Sequence, residues 1–249
     1  MSSGATGAGP HSAWEQHAGW WQTNFTAGAD PEYEEQILPI VAEQLAGRAS
    51  VLDVGTGEGQ LARHLLDHAG VGRVVGIDPA DAQLGVARTR GGRARYVRGA
   101  ADALPFTTGS FEAAVACLVF EHILEVDAAI SEVGRVIADN GVFLFLLNHP
   151  LLQAPDSGWI DDHILEEQYW RIGPYLVEDL SEEEIAPGVT LPFVHRPLSR
   201  YVNALARNRL YVEEMLEPEP PPGFIARAPE YANVVSIPRL LVLRCVKRA

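Results

Sequence analysis

Two aspartates, each set in a short apolar run, are the residues whose placement points most directly to chemistry. Asp53 sits within Val51, Leu52 and Val54, and glycines follow at alternate positions, Gly55, Gly57 and Gly59. A helical pattern then begins, with apolar residues at Leu61, Ala62, Leu65 and Leu66. Strand, glycine turn and helix together build a nucleotide pocket: glycines let backbone approach a ligand, and a helix N-terminus presents N–H donors. Asp78 closes a second run, Val74-Val75-Gly76-Ile77, where a carboxylate accepts hydrogen bonds from ribose hydroxyls. The dinucleotide fingerprint G-x-G-x-x-G needs a glycine where this chain has Gln60. The spacing present is D-x-G-x-G-x-G, beginning at Asp53. Its carboxylate repels a pyrophosphate and attracts a cationic amino-acid group.

Together these residues resemble motif I and the acidic loop of the class I S-adenosylmethionine (SAM)-dependent methyltransferases, in the small-molecule type 11 branch. The resemblance implies an α/β fold, a Rossmann-like seven-stranded, mostly parallel sheet with helices on both faces and an antiparallel last strand, carrying here an inserted α/β cap. It implies SAM as cofactor and S-adenosylhomocysteine as product, held by Asp53, Gly55, Thr56, Gly57, Gly59, Asp78, Pro79, Ala101, Asp102, Cys117, Leu118 and Trp21. Gly99–Phe106 resembles the family's adenine loop, G-D-A-E-A-L-P-F. Ala100 stands where the first acid is usual, which leaves Asp102 to take the adenine amino group and the Ala101 backbone to pair with the ring. Cys117 and Leu118 match positions that lie against the methionine part of the cofactor. The turn Asp139-Asn140-Gly141 replaces the usual Pro-Gly-Gly.

The elements that must position these groups follow from periodicity and turn residues. Residues 1–12 are rich in Gly, Ser and Ala and read as a disordered leader. Residues 13–48 read as helical, and the resemblance implies that they fold over the cofactor as a lid. Trp14, Ala18, Trp21 and Phe25 share one helical face, and a second helix spans about Pro31 to Leu45. The SAM-binding core is 49–150, with further strands at Ala94–Arg98, Phe111–Phe120 and Val142–Leu147, a helix at Asp127–Ile137, and a tight turn at Asn140-Gly141. Residues 151–197 read as a substrate-cap insertion. Within it a hairpin of Gly173–Leu180 and Val189–His195 turns at Pro187-Gly188, and the acidic run Glu182–Glu184 forms its solvated tip. Residues 198–249 return to the core through a helix at Leu198–Asn208, a strand at Leu210–Leu216, a proline-rich loop, and a last strand at Arg239–Val246.

The acceptor pocket is expected from Phe25, Tyr33, His122, Tyr169, Trp170 and Tyr175, whose rings suit a ring-containing or otherwise apolar molecule. A lid over the pocket favours methyl transfer, because the sulfonium loses its charge in the transition state. Alignment alone contributes on the order of 7–11 kcal/mol. A base is needed only for a protonated acceptor such as a phenol. His122, His149, His163 and His195 are the candidates, with His149 and His195 ahead by position. These four histidines have neither H-x-x-x-H spacing nor a Cys partner, so no metal is expected.

At 249 residues the chain fits one large domain or a domain with a subdomain. A net charge of −14 and a pI of about 4.9 argue against a nucleic-acid substrate. Cys117 and Cys245 read as buried reduced thiols. The start shows no signal-peptide pattern and no run is long enough to span a membrane, so a cytoplasmic protein is expected. The oligomeric state cannot be read. Small-molecule O-methylation is the first reading. N- or C-methylation and a non-catalytic SAM-binding protein are its alternatives. A dinucleotide-dependent oxidoreductase is disfavoured by Gln60 and Asp53.

Overall fold

The computed structural model describes residues 10–164 and 166–249. Residues 1–9 of the expected leader lie outside them; residues 10–12, expected to belong to it, are helical. Helix α1 spans Pro10–Phe25. A π-helical turn, Tyr33–Ile37, then runs into α2 (Leu38–Gln44). The core continues with β1 (Ser50–Val54), α3 (Gln60–His68), β2 (Arg73–Asp78), α4 (Asp81–Arg90), β3 (Arg95–Arg98), β4 (Phe111–Cys117), α5 (Val126–Val136) and β5 (Ile137–Asn148). The insertion holds β6 (Gly158–Asp162), β7 (Glu167–Arg171), β8 (Asp179–Ala186) and β9 (Val189–His195). The chain closes with α6 (Leu198–Arg207), β10 (Leu210–Leu216), α7 (Pro222–Arg227) and β11 (Leu240–Lys247).

Seven strands form one sheet in the order β10-β11-β5-β4-β1-β2-β3. The first five in sequence run parallel, and β11 is antiparallel to both β5 and β10. Alternating side chains divide the apolar content between the two faces. Leu52, Ala114, Phe143, Phe145 and Leu243 face α5 and α6, while Val51, Val74, Val115, Leu144 and Val242 face α2 and α3. All five parallel strands present their carboxyl ends to the same edge, where an open α/β sheet binds its ligand.

Several expected boundaries are corrected. Strand β4 ends at Cys117 rather than Phe120. Leu118 takes φ +55° and breaks the ladder, and Phe120–His122 forms a 3-10 turn. Asn140-Gly141 is no helix-to-strand turn. The strand starts at Ile137, and residues 138–141 bulge where Phe111 pairs with Ile137 but Ala113 with Val142, with Asn140 at φ +63°. The cap is not α/β: among its described residues there are two antiparallel hairpins, β6–β7 and β8–β9, and no helix. The second hairpin turns at Pro187-Gly188 as expected, but Gly173–Glu178 is irregular because Pro174 starts a turn closed by the Val177 amide on its carbonyl. Glu182–Glu184 therefore lie along β8, and Glu184 Oε1 accepts the Gly188 amide at 2.9 Å, stapling the turn. Among the described residues no helix is long and apolar enough to cross a membrane.

Phe145 is fully buried and packs on Phe120, Phe143 and Tyr201 at ring distances of 4.8, 5.1 and 5.6 Å. Phe145→Ala is expected to cost about 3–5 kcal/mol, read as a lower urea midpoint at an unchanged slope. A loss below about 1 kcal/mol would mean that the aromatic cluster is not the core on which the sheet rests.

Candidate functional site

At the carboxyl edge lies a cavity of about 1040 Å³ including its mouth. Its floor is the glycine loop. The Gly55 and Thr56 amides donate to the Ile77 carbonyl at 2.8 and 3.0 Å, tying the loop to β2. The Gly57 amide donates to Asp78 Oδ2 at 2.9 Å, and the Ala80 amide to Asp78 Oδ1 at 2.8 Å. These donors are spent on the protein's own acceptors, so the loop does not turn them toward a bound pyrophosphate. Gly57 takes φ +54°, and a β-carbon there would meet only Gln83, at 4.0 Å. The loop thus keeps its open side toward the cavity.

Asp53 is 2% exposed and accepts a 2.6 Å bond from Thr56 Oγ1. Burial, together with Asp78 and Glu58 nearby, pushes its carboxyl up to about 7. Glu58, equally buried, is paired with Arg63 at 2.6 Å and Arg90 at 2.7 Å. The cations beside the floor are therefore committed to Glu58 rather than Asp53.

The leader helix closes one side. Trp21 and Tyr33 line the cavity, and so does Trp14. Phe25 stacks on Trp21 at 4.2 Å and supports it without lining the cavity. The Cys117 thiol donates to Tyr33 Oη at 3.9 Å, and burial raises both groups above their usual range. Polar contacts latch this helix to the core. Gln22 Nε2 donates to Gln83 Oε1 at 2.9 Å, and the Ala27 amide donates to Gln60 Oε1 at 2.9 Å. The Ala82 amide, at the start of α4, donates to the Glu15 carboxylate at 3.1 Å. Gln60, which breaks the dinucleotide fingerprint, thus has a task of its own.

Of the residues expected at the cofactor, Asp53, Gly55, Thr56, Gly57, Asp78, Pro79, Ala101, Cys117, Leu118 and Trp21 line the cavity. Two do not. Gly59 caps α3 with its back to Tyr96, and a β-carbon there would collide with the Tyr96 hydroxyl. Asp102 sits exposed on a turn closed by the Ala103 amide on the Ala100 carbonyl, so it does not replace the acid missing at Ala100; Gly99 and Ala101 form that wall.

Of the acceptor residues, Tyr33 and His122 line the cavity, and Tyr169, Trp170 and Tyr175 do not. Tyr169 and Trp170 belong to the outer hairpin, and Tyr175 Oη accepts the Leu198 amide at 2.9 Å. The histidines divide in the same way. His149 bonds Glu217 through Nε2 at 2.9 Å and accepts the Leu151 amide on Nδ1 at 3.1 Å, a structural pin away from the cavity. His195 Nε2 donates to the Tyr175 carbonyl at 2.8 Å, and His163 is exposed. His122 alone of the four lines the cavity. Its Nδ1 donates to the Pro192 carbonyl at 2.7 Å, and burial holds its pKa down to about 4. His64 and His68 do have the H-x-x-x-H spacing, with rings 4.6 Å apart, but no group of three metal-ligating side chains occurs among the described residues.

Sequence reasoning missed Arg196. Buried at 3% exposure, it donates to the carbonyls of Phe120, Ile123 and Leu124 at 3.2, 2.8 and 3.0 Å, gripping the turn that carries His122. Beside it, Glu121 Oε1 accepts both the amide and the side chain of Asn148 at 3.0 Å. Trp14 was legible as part of the aromatic stripe but not as a wall of the site.

Residues 52–145 match the model of a family described as "Methyltransferase domain". The chain is 33% identical over 123 residues to a demethylmenaquinone methyltransferase of Thermus thermophilus, covering 48% of this chain and 55% of that protein. It is 33% identical over 134 residues to a malonyl-[acyl-carrier protein] O-methyltransferase of Geobacter sulfurreducens, covering 53% and 50%. The chain thus spans about half the length of the curated relatives it matches. Among solved structures it resembles an S-adenosylmethionine dependent methyltransferase from Mesorhizobium loti, with a TM-score of 0.72 and 27% identity, covering 84% of this chain and 96% of that one.

The buried carboxyl of Asp53 gives a stability signature. Its raised pKa means that the folded state holds the proton while the unfolded chain has released it, so the stabilisation present below about pH 4 is lost as pH rises to about 7. Ligand-free protein is expected to lose on the order of 1 kcal/mol per pH unit over that window relative to Asp53→Asn, measured by urea unfolding at pH 5, 6 and 7. Parallel curves for the two proteins would place the titration elsewhere.

Proposed function

We propose, from the premise that residues 52–145 belong to the methyltransferase domain family, that the chain is a SAM-dependent methyltransferase. It acts on a small, fairly apolar acceptor, at oxygen first, with nitrogen or carbon transfer as the alternative. The observation that carries this reading is the pair Asp53 and Asp78 at adjacent strand ends, on the wall of one cavity floored by the glycine loop. The setting proposed is the cytoplasm, in keeping with two free thiols. A net charge of −14 speaks against a nucleic-acid acceptor.

The residues present fit the cofactor. A buried carboxylate with no cation of its own suits an ammonium group, so Asp53 takes the methionine end. Asp78, held in plane by two backbone amides, suits ribose hydroxyls. Ile77, Gly99 and Ala101 leave a flat wall for an adenine ring. When bound, SAM supplies a methyl group on a positively charged sulfur. Trp21, held by the latched α1, and Tyr33, on the following π-helical turn, exclude water from that end of the cavity. His122, neutral over the physiological range, presents a ring nitrogen that can accept a proton.

Calorimetric titration with SAM, S-adenosylhomocysteine and NAD tests this reading. Micromolar binding of the first two is expected, at least tenfold weaker in Asp78→Ala, with none for NAD. SAM affinity is further expected to fall up to tenfold per pH unit as pH drops below about 7, because binding the ammonium then requires Asp53 to release its proton. Asp53→Asn flattens that slope. NAD binding, or no adenosyl ligand bound at all, would overturn the assignment.

A further inference from the structure

We propose that the acceptor is an uncharged, planar aromatic hydroxyl compound, seated against Trp14 of α1 and the turn Val119–Ile123, with its hydroxyl on His122 Nε2. The proposal rests on the methyltransferase reading and names the substrate class of that same site.

The first observation is the charge on the walls. Among the described residues, the charged ones lining the cavity are Asp53, Glu58 and Asp78, with no Lys or Arg beside them. The nearest guanidinium groups are spent: Arg63 and Arg90 on Glu58, Arg196 on three carbonyls. A carboxylate or phosphate on the acceptor would be desolvated among like charges with no cationic side chain to pair with.

The second is the shape and chemistry of the end beyond the glycine loop. The Trp14 ring stands edge-on to Trp21 at 5.2 Å and to His122 at 4.9 Å, and His122 in turn meets Phe193 of β9 at 5.7 Å. Ile123 and Val119 complete an apolar surface beside them. Such edge-to-face neighbours favour a flat ring over a flexible chain. α1 packs against β9, so leader and insertion close this end together.

The third is the tautomer of His122. Nδ1 can meet the Pro192 carbonyl at 2.7 Å only as an N–H donor, so Nε2 carries the lone pair. Among the described residues no donor reaches Nε2, and it is not sealed from solvent. With Nε2 unprotonated at neutral pH, the ring accepts a hydrogen bond from a hydroxyl, and as a weak base it gives no means of deprotonating an ammonium group. In the transfer, the acceptor oxygen–methyl bond forms as the methyl–sulfur bond breaks. The hydroxyl proton passes to Nε2, and the electron pair stays on sulfur as the neutral thioether. The imidazolium then releases its proton to water.

Three probes that share one ring and differ in charge test the seat: 2-naphthol, 2-naphthoate and 2-naphthylmethylammonium. Each is titrated into protein saturated with S-adenosylhomocysteine and followed by tryptophan fluorescence and calorimetry. 2-Naphthol is expected to bind at least tenfold tighter than either ion. Trp14→Leu should weaken it at least tenfold and shift the affinity for S-adenosylhomocysteine less than threefold. In nitrogen-detected NMR, His122 is expected to report the Nδ1–H form at pH 7 and to shift when naphthol binds. Equal or tighter binding of either ion, binding of none of the three, or naphthol affinity unaffected by Trp14→Leu would overturn the proposal. Failure of S-adenosylhomocysteine to bind would instead overturn the methyltransferase reading.

Discussion

A carboxylate taken out of water without a cation beside it is the constraint around which the carboxyl edge is built. Asp53 has one hydroxyl donor, from Thr56, and the two guanidinium groups that could have neutralised it are turned to Glu58. Burying a charge in this way is costly unless something pairs with it. The protein meets that cost partly by letting the group hold its proton to about pH 7. The remaining demand for positive charge is directed into the cavity, where Asp53 faces the space proposed for the cofactor's ammonium group. Asp78 has a different role: it holds the loop by the Gly57 amide and the next βα turn by the Ala80 amide, so the two acids keep one another's surroundings in shape.

The parts legible in the sequence were those governed by local pattern. Short continuous apolar runs gave the parallel strands, the alternate glycines gave the loop, and Asp78 fell at the end of β2 as spacing required. The parts that escaped depended on long-range packing. Tyr169, Trp170 and Tyr175 looked like pocket rings because they lie in an insertion following the carboxyl edge and suit a ring-containing acceptor, yet Tyr169 and Trp170 pair across the small β6–β7 sheet with Ile160 and Trp159, outside the cavity. The acidic run Glu182–Glu184 looked like a tip because like charges favour solvent, but an edge strand open to water on one side accommodates them equally well. Asp102 followed from a motif already missing its first acid, and turn geometry sent it outward. Trp14 and His122 lie 108 positions apart in the sequence (122 − 14); only the docking of α1 on β9 brings them together.

The insertion is more than a cover. Arg196 reaches from its end to three carbonyls of the turn that follows β4, and Pro192 fixes the ring of His122 from the neighbouring strand. The turn itself begins where Leu118, at φ +55°, ends the ladder. A backbone conformation that few non-glycine residues adopt is thus held by contacts from a segment nearly eighty positions away, since the hydrogen bond from His122 to Pro192 spans |i−j| of 70 and that from Arg196 to Phe120 spans 76.

The latch between the Ala27 amide and Gln60 has a consequence for how such a molecule diversifies. The groups proposed to meet the cofactor lie mostly inside residues 52–145, whereas Trp14, which walls the far end of the cavity, and Phe193, which backs His122, lie outside that stretch on two segments fastened to it by a handful of polar bonds. The molecule is therefore built as a fixed engine with interchangeable jaws. Exchanging the leader and the second hairpin between relatives, with Gln22, Gln60, Gln83 and Arg196 retained as connectors, would alter what is gripped and leave the donor chemistry in place.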